Sequence, residues 1–222
     1  MDRAGRGRGA QLSYHGDAID NNPEKRMTKP LHLLVAALSV LLLSVAPARA
    51  DVDVAGVKFA DKAKVGNAEL SLNGAGLRSR AFFKVYALGL YLPEKKGAAD
   101  AVLSVKGPKR IQIVTLRELT AEQFADALIS ALEKNHSEAE LAPLKARVEE
   151  FRAIMLSLGT APKGSAVILD FLPEYGTRLQ FNGSAKGKDI PGEDFYRALL
   201  KIWLGQEPAQ SDLKEALLGK QP

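Results

Sequence analysis

The segment Phe82 to Leu92 reads FFKVYALGLYL, a long aromatic and aliphatic run closed by Pro93 and the loop Lys95-Lys96-Gly97. Such a run between loop signals is a strand, and a strand this long has to be paired into a sheet. Upstream, Ala68 to Asn73 alternates, with Leu70 and Leu72 on one side and Glu69 and Ser71 on the other. Gly74-Ala75-Gly76 then reads as a turn or a bulge. Downstream, a short helical stretch at Ala98 to Val105 ends at Gly107-Pro108, and Arg110 to Leu116 (RIQIVTL) supplies another strand.

The middle of the chain changes period. Thr120 and Gln123 form a capping-box pattern ahead of Phe124, Leu128, Ala131 and Leu132, which share one helical face. Ser137 and Glu140 repeat the pattern ahead of Leu141, Leu144, Val148, Phe151 and Met155. Pro143 fits only a first turn, so this helix is expected to start late. Strands return at Ser165 to Leu172 and Arg178 to Phe181, joined through Pro173-Glu174-Tyr175-Gly176. Two helices close the chain, Glu193 to Leu204 and a short one capped by Ser211 that stops near Gly219. Strands, two helices, a hairpin and two helices predict an α+β fold, with helices against one face of a mainly antiparallel sheet.

The first fifty residues stand apart from this pattern. From Met27, Lys29 gives a positive start, Leu31 to Val45 is an almost unbroken apolar run, and Ala48-Arg49-Ala50 is a small-x-small cleavage site. That is the plan of a secretory signal peptide, and the run is short of the roughly 20 residues a membrane span needs. Cleavage after Ala50 leaves a mature chain from Asp51 with no stable membrane insertion; a retained signal anchor is the alternative. Residues 1–26 carry no apolar periodicity and read as a disordered extension or as the product of a start placed ahead of Met27. Residues 51–222 are then the single folded domain. The expected location is secreted, and periplasmic if the source is bacterial. The chain has no cysteine, which excludes disulfides, thiolate metal sites and cysteine nucleophiles. Its net charge of +5 is concentrated in the leader: residues 51–222 hold 24 Lys/Arg against 22 Asp/Glu, so no nucleic-acid partner is expected.

Candidate chemistry in the folded part is sparse. Gly74-Ala75-Gly76 lacks the third glycine of a GxGxxG loop and leads into a strand, which argues against phosphate binding. His136, the one histidine after residue 50, lies between two helices and reads as a solvated turn residue. No metal and no cofactor are expected. Asp170 interrupts an apolar strand, and a solvated sheet face would account for it. Arg78 and Arg80 lie on one side of an extended chain, either as surface cations or, for Arg78, as an anion-binding group.

Three segments together carry a resemblance. Asn73-Gly-Ala-Gly-Leu-Arg78 followed by Lys84-Val-Tyr-Ala-Leu-Gly-Leu-Tyr-Leu92, then Leu119-Thr-Ala-Glu-Gln-Phe124, then Pro191-Gly-Glu-Asp-Phe195 through Ile202-Trp-Leu-Gly205, resemble the chalcone isomerase superfamily, in its secreted bacterial chalcone isomerase-like branch. The resemblance spans essentially all of residues 51–222. It implies an open-faced β-sandwich, an antiparallel sheet with a helical layer and a ligand cleft between them. Catalytic members close a flavanone ring with an arginine, a tyrosine, an asparagine and threonines. Non-catalytic relatives bind fatty acids through the equivalent arginine and a tyrosine. Here the arginine is matched by Arg78 and the strand threonine by Tyr86, while the helix-start tyrosine becomes Phe124 and the asparagine Ala131. The last threonine falls near Ile202, with Trp203 beside it. The resemblance therefore implies a non-catalytic binding protein for a hydrophobic, anionic small molecule such as a fatty acid. Arg78 would hold the acid, with Tyr86, Phe124, Leu128, Ala131, Ile202 and Trp203 around it. The alternative is a chalcone isomerase-type intramolecular lyase using Arg78. A protein partner is left open.

Overall fold

The computed structural model describes Gly16 and residues 51–220. The expected extension and signal peptide therefore lie, but for Gly16, outside the described residues. The chain divides into two compact units, Met1–Ala48 and Arg49–Pro222, and every element below belongs to the second. In chain order these are β1 (Val52–Val54), β2 (Val57–Phe59), β3 (Lys62–Val65), β4 (Ala68–Arg80), β5 (Phe83–Leu92), α1 (Ala99–Ser104), β6 (Lys109–Thr115) and β7 (Leu119–Thr120). They continue with α2 (Ala121–Lys134), α3 (Glu138–Leu141), α4 (Lys145–Leu156), β8 (Thr160–Ala161), β9 (Ala166–Leu172), β10 (Gly176–Phe181), β11 (Ser184–Ile190), α5 (Glu193–Leu204) and α6 (Ser211–Leu217). Seven strands form one antiparallel sheet in the order β11-β10-β9-β6-β5-β4-β3. The α+β expectation holds. Among the described residues no helix is long and apolar enough to cross a membrane.

Both faces of β4 and β5 are covered. On the helical side, Leu88, Leu90, Ile111, Ile113 and Leu169 meet Phe124, Leu128, Leu199 and Trp203 in the main core. On the other side, Leu70, Leu72, Ala87 and Tyr91 form a second cluster with Phe59 from the β1–β2 hairpin. Strand β4 serves both because it contains a bulge. Leu72 pairs with Tyr91, but Gly74 pairs with Leu90, which leaves Asn73 as an extra residue. One extra residue exchanges the two faces of a strand. Leu70 and Leu72 thus point to the second cluster, whereas Gly74, Gly76 and Arg78 share the helical side with their partners Leu90, Leu88 and Tyr86.

The Gly-Ala-Gly segment does not turn the chain; β4 runs through it. Its glycines admit α6, since a Cβ on Gly74 would stand 2.1 Å from the Ala216 carbonyl oxygen, and one on Gly76 2.7 Å from the Ala216 Cβ. Asn73 fastens the contact. Its Nδ2 donates to the carbonyls of Leu217 (2.7 Å) and Lys96 (3.0 Å), and its Oδ1 accepts from the Lys96 N–H (2.6 Å).

Other local readings are refined by packing. Thr120 caps α2 by accepting from the Gln123 N–H, and Ser137 with Glu140 forms a full capping box. The second helix does not start late: α3 begins at Glu138 behind its Ser137 cap, and Pro143 instead divides it, with a 3₁₀ turn at Ala142–Leu144 ahead of α4. Ser211 does not cap the last helix; it is the first helical residue, preceded by Gln210. Asp170 is not on a solvated face. It is 3% exposed and accepts two bonds from Arg110 (2.6 and 2.7 Å) and one from Gln180 (2.9 Å). Arg110 is its cross-strand partner on β6, so a buried ion pair replaces the expected contact with water. Strand β11 was not expected, because SAKGKDI is too polar to read as a strand. The turn before it, Asn182-Gly183 with both residues at positive φ, sets the hairpin.

Adding one methyl group at Gly74 is expected to lower stability by about 1–3 kcal/mol, the range for overpacking a filled interior. Gly97, on the exposed loop after β5, has its closest neighbour at 4.0 Å, so Gly97→Ala serves as a control that changes stability little. Urea unfolding of Gly74→Ala and Gly97→Ala checks both.

Candidate functional site

A cleft of about 830 Å³ opens between the helical layer and the β4–β5 end of the sheet. Strands β4, β5 and β6 bring Arg78, Tyr86 and Thr115 directly opposite one another on the helical side. Helix α2 contributes Phe124, Leu128 and Ala131, which its capped start and regular period turn toward the sheet. Helix α5 contributes Ile202. Arg78, Tyr86, Phe124, Leu128, Ala131 and Ile202 therefore all line one cavity. Trp203 is fully buried and stands behind Tyr86, away from the cavity wall.

The polar groups at the buried end form a chain. The indole N–H of Trp203 donates to the Tyr86 hydroxyl oxygen at 2.9 Å. Burial pushes the Tyr86 phenol up from its ordinary pKa, against the smaller opposing effects of the Trp203 donor and the neighbouring Arg78. The phenol is thus neutral around pH 7 and keeps a proton. With its oxygen already accepting from Trp203, that proton has no acceptor among the described residues and is available to the cavity. Phe124 leans on the Tyr86 ring, centroids 6.2 Å apart, and limits where the hydroxyl can point. Thr115 offers nothing comparable: its Oγ1 donates to the Pro162 carbonyl (2.6 Å) and accepts from the Ser165 N–H (3.0 Å).

Arg78 is half-buried. Its Nη1 donates to the Ser79 carbonyl and, at 3.2 Å, to the Gln210 side-chain oxygen. Gln210 also accepts from the Ser79 N–H at 2.8 Å, so a residue from the far end of the chain fixes both backbone and guanidinium. Among the described residues no carboxylate pairs with Arg78, and its guanidinium has the Tyr86 hydroxyl as a further hydrogen-bonding neighbour. Arg80, Arg117 and Lys134 add positive charge around the opening. Of the two acids there, Asp126 is paired with Arg152 at 2.8 Å, leaving Glu207. The cavity is a mainly carbon-lined space with an excess of positive charge, and Arg78 and Tyr86 are side by side in its wall.

Gln210 and the mouth residues Phe83 and Arg117 were not among the sequence candidates. Gln210 carries no sequence signal, since it sits in a polar connection and acts across 132 positions. Phe83 was legible as part of an aromatic strand but not as a residue at its exposed tip. His136 lies outside the cleft, where its Nδ1 is 2.8 Å from the Leu132 carbonyl at the end of α2.

Comparison with known proteins agrees with this architecture. No protein of curated function matches the chain in sequence. Among solved structures, the chain is similar to the crystal structure of a fatty-acid binding protein from Arabidopsis thaliana, with a TM-score of 0.58 and 17% identity over 76% of this chain and 96% of that one. At that identity the likeness is one of fold, and it bears out the open-faced arrangement of an antiparallel sheet under helices. The family model described as chalcone isomerase-like matches residues 51–219, which takes in every strand and helix from β1 to α6. This chain belongs to the chalcone isomerase-like family.

Proposed function

We propose that the protein is a secreted, non-catalytic binding protein for a hydrophobic molecule with an acidic head, a fatty acid being the type. The observation that carries this reading is the pairing of an apolar cavity with Arg78, whose partners among the described residues are all neutral, and the neighbouring Tyr86 hydroxyl. A carboxylate has two acceptor oxygens and suits a guanidinium edge and a phenolic O–H together. A volume of about 830 Å³ lies in the ordinary range of small-molecule sites. The similarity to a fatty-acid binding protein supports the same class of ligand. By the resemblance, Phe124, Ala131 and Ile202 stand where ring-closing members carry hydroxyl or amide groups, and all three line the cavity, which favours binding over ring closure. Positioned donors of that kind are worth about a hundredfold or more each in rate.

The head-group assignment is tested with oleic acid and its methyl ester on the chain from Asp51, which contains every strand and helix described and both clusters. Arg78→Ala is expected to weaken oleate by about 1.5–3 kcal/mol, the worth of hydrogen bonds to a charged group. The ester should be nearly unaffected in titration calorimetry. Equal weakening of both ligands would refute recognition of the acid by Arg78.

Tyr86→Phe should act on two quantities. It removes a donor to the ligand, and it leaves the buried Trp203 N–H without its acceptor, at a stability cost of about 1–3 kcal/mol. Trp203→Phe made in the same background should restore part of that stability without restoring oleate affinity. Unfolding curves and ligand titrations on the single and double variants separate the two effects.

The export reading rests on Lys29, the Leu31 to Val45 run and Ala48-Arg49-Ala50. Expressed with its leader in a bacterial host, the protein is expected in the periplasmic fraction with Asp51 as its first residue. Terminal sequencing that finds an uncleaved chain in the cytosol would remove secretion from the proposal.

A further inference from the structure

The hairpin that joins β4 to β5 ends at the cleft mouth and carries the most exposed large hydrophobic side chains among the described residues. Arg80 pairs with Phe83 across a two-residue turn, Ala81-Phe82, in which Ala81 takes a positive φ of 51°. Phe82 is 101% exposed and Phe83 63% exposed. Neither belongs to the two hydrophobic clusters. Holding Phe82 wholly and Phe83 largely in water is costly, because apolar ring surface that could be buried stays hydrated. Single exposed apolar residues are common, but two adjacent aromatics at a strand tip with a defined electrostatic setting point to a surface that receives them.

That setting is cationic. From Leu70 to Pro93 the chain contains Arg78, Arg80 and Lys84 and no acid at all. Arg117, from the segment after β6, lies over the Phe83 ring with its guanidinium carbon 5.5 Å from the centroid. The acid closest in sequence to that arginine is Glu118. Aromatic side chains that enter the acyl boundary, ringed by Arg and Lys that stay at head-group level, are the elements of an interfacial anchor on an anionic bilayer. Phe83 and Arg80 also line the cavity, so the same tip forms part of its rim.

We infer that the β4–β5 tip is a docking device for an anionic phospholipid surface: Phe82 and Phe83 insert, Arg80, Lys84 and Arg117 engage the head groups, and the cleft mouth is presented to the bilayer. The inference goes beyond the proposed binding function and does not require it, since attachment rests on the tip alone. Together the two readings describe a protein that exchanges an amphiphile directly with a membrane.

The test is co-sedimentation of the ligand-free chain from Asp51 with vesicles of phosphatidylglycerol and phosphatidylcholine in equal parts, and with phosphatidylcholine alone. Binding is expected only to the anionic vesicles and should fall as salt is raised. Phe82 and Lys84 do not line the cavity, so the double variant Phe82→Ser/Lys84→Glu separates docking from ligand binding. It should bind anionic vesicles at least about tenfold more weakly, as expected for reversing one head-group contact and losing one inserted ring. Its affinity for oleic acid should be unchanged. Folded protein that ignores both vesicle types, or that binds them equally and regardless of the substitutions, overturns the inference. So does concentration-dependent self-association that disappears with Phe82→Ser in the absence of vesicle binding, which would assign the tip to a second copy of the chain. Vesicle binding that is lost in the double variant, in a protein that takes no oleic acid, would uphold docking and defeat the cleft reading instead.

Discussion

One inserted residue, Asn73, decides which way the first half of β4 and the second half of β4 face. Before it, leucines pack beneath the β1–β2 hairpin; after it, two glycines and an arginine look toward the helices. Were the strand regular, Arg78 would point to the side of Leu70 and Leu72, and the cavity would have no half-buried cation. The bulge is held by three side-chain hydrogen bonds from Asn73 that reach the loop after β5 and the end of α6. Through that contact the last helix lies on the two glycines, and the residue just ahead of it, Gln210, meets Arg78. Strand phase, helix position and orientation of the guanidinium are thus consequences of one local irregularity.

The electrostatics of the two sheet faces differ as well. On the outer face, Arg110 and Asp170 are cross-strand partners and satisfy one another, as do Arg178 and Asp189 with bonds of 2.9 and 2.6 Å. Removing one member of the Arg110–Asp170 pair would strand a buried charge, so those residues are best understood as structural. On the inner face Arg78 meets a glutamine and a carbonyl, both neutral. A neutral acceptor orients a guanidinium without cancelling its charge, which leaves the cavity with a field that attracts anions.

Much of this was legible in the sequence because it depends on local chemistry. The alternation at Leu70 and Leu72 and the capped start of α2 are properties of a few adjacent residues, and each emerges in the expected place. The misreadings have a common origin in non-local pairing. Asp170 reads as solvent-facing until its partner Arg110, sixty positions away, is placed beside it. Ser211 is the exception, a local misreading in which its neighbour Gln210 takes the extended backbone of the cap position. Gly74 and Gly76 read as a turn or a bulge; a bulge does fall beside Gly74, but the helix from residues 211–217 that packs on the glycines leaves no trace in the strand itself. At the site, Arg78, Tyr86 and the α2 residues were identifiable through the family pattern, whereas the Trp203–Tyr86 bond and the Gln210 anchor required the assembled chain.

The outermost strands of the large sheet have a bearing on how such a chain survives its own synthesis. Each edge of a sheet is an unpaired row of N–H and C=O groups that can template another chain. Here one edge, β3, is only four residues long and carries Lys62 and Lys64. The other, β11, carries Lys186 and Lys188 around Gly187, whose positive φ of 66° lies where its ladder with β10 loses register. Most of the segment with the greatest tendency to stack, FFKVYALGLYL, lies between β4 and β6, which pair with it on both sides from Tyr86 to Tyr91. Short, lysine-bearing or kinked margins therefore enclose the strand most capable of seeding aggregates, and the finished sheet offers other copies no flat apolar border on which to grow.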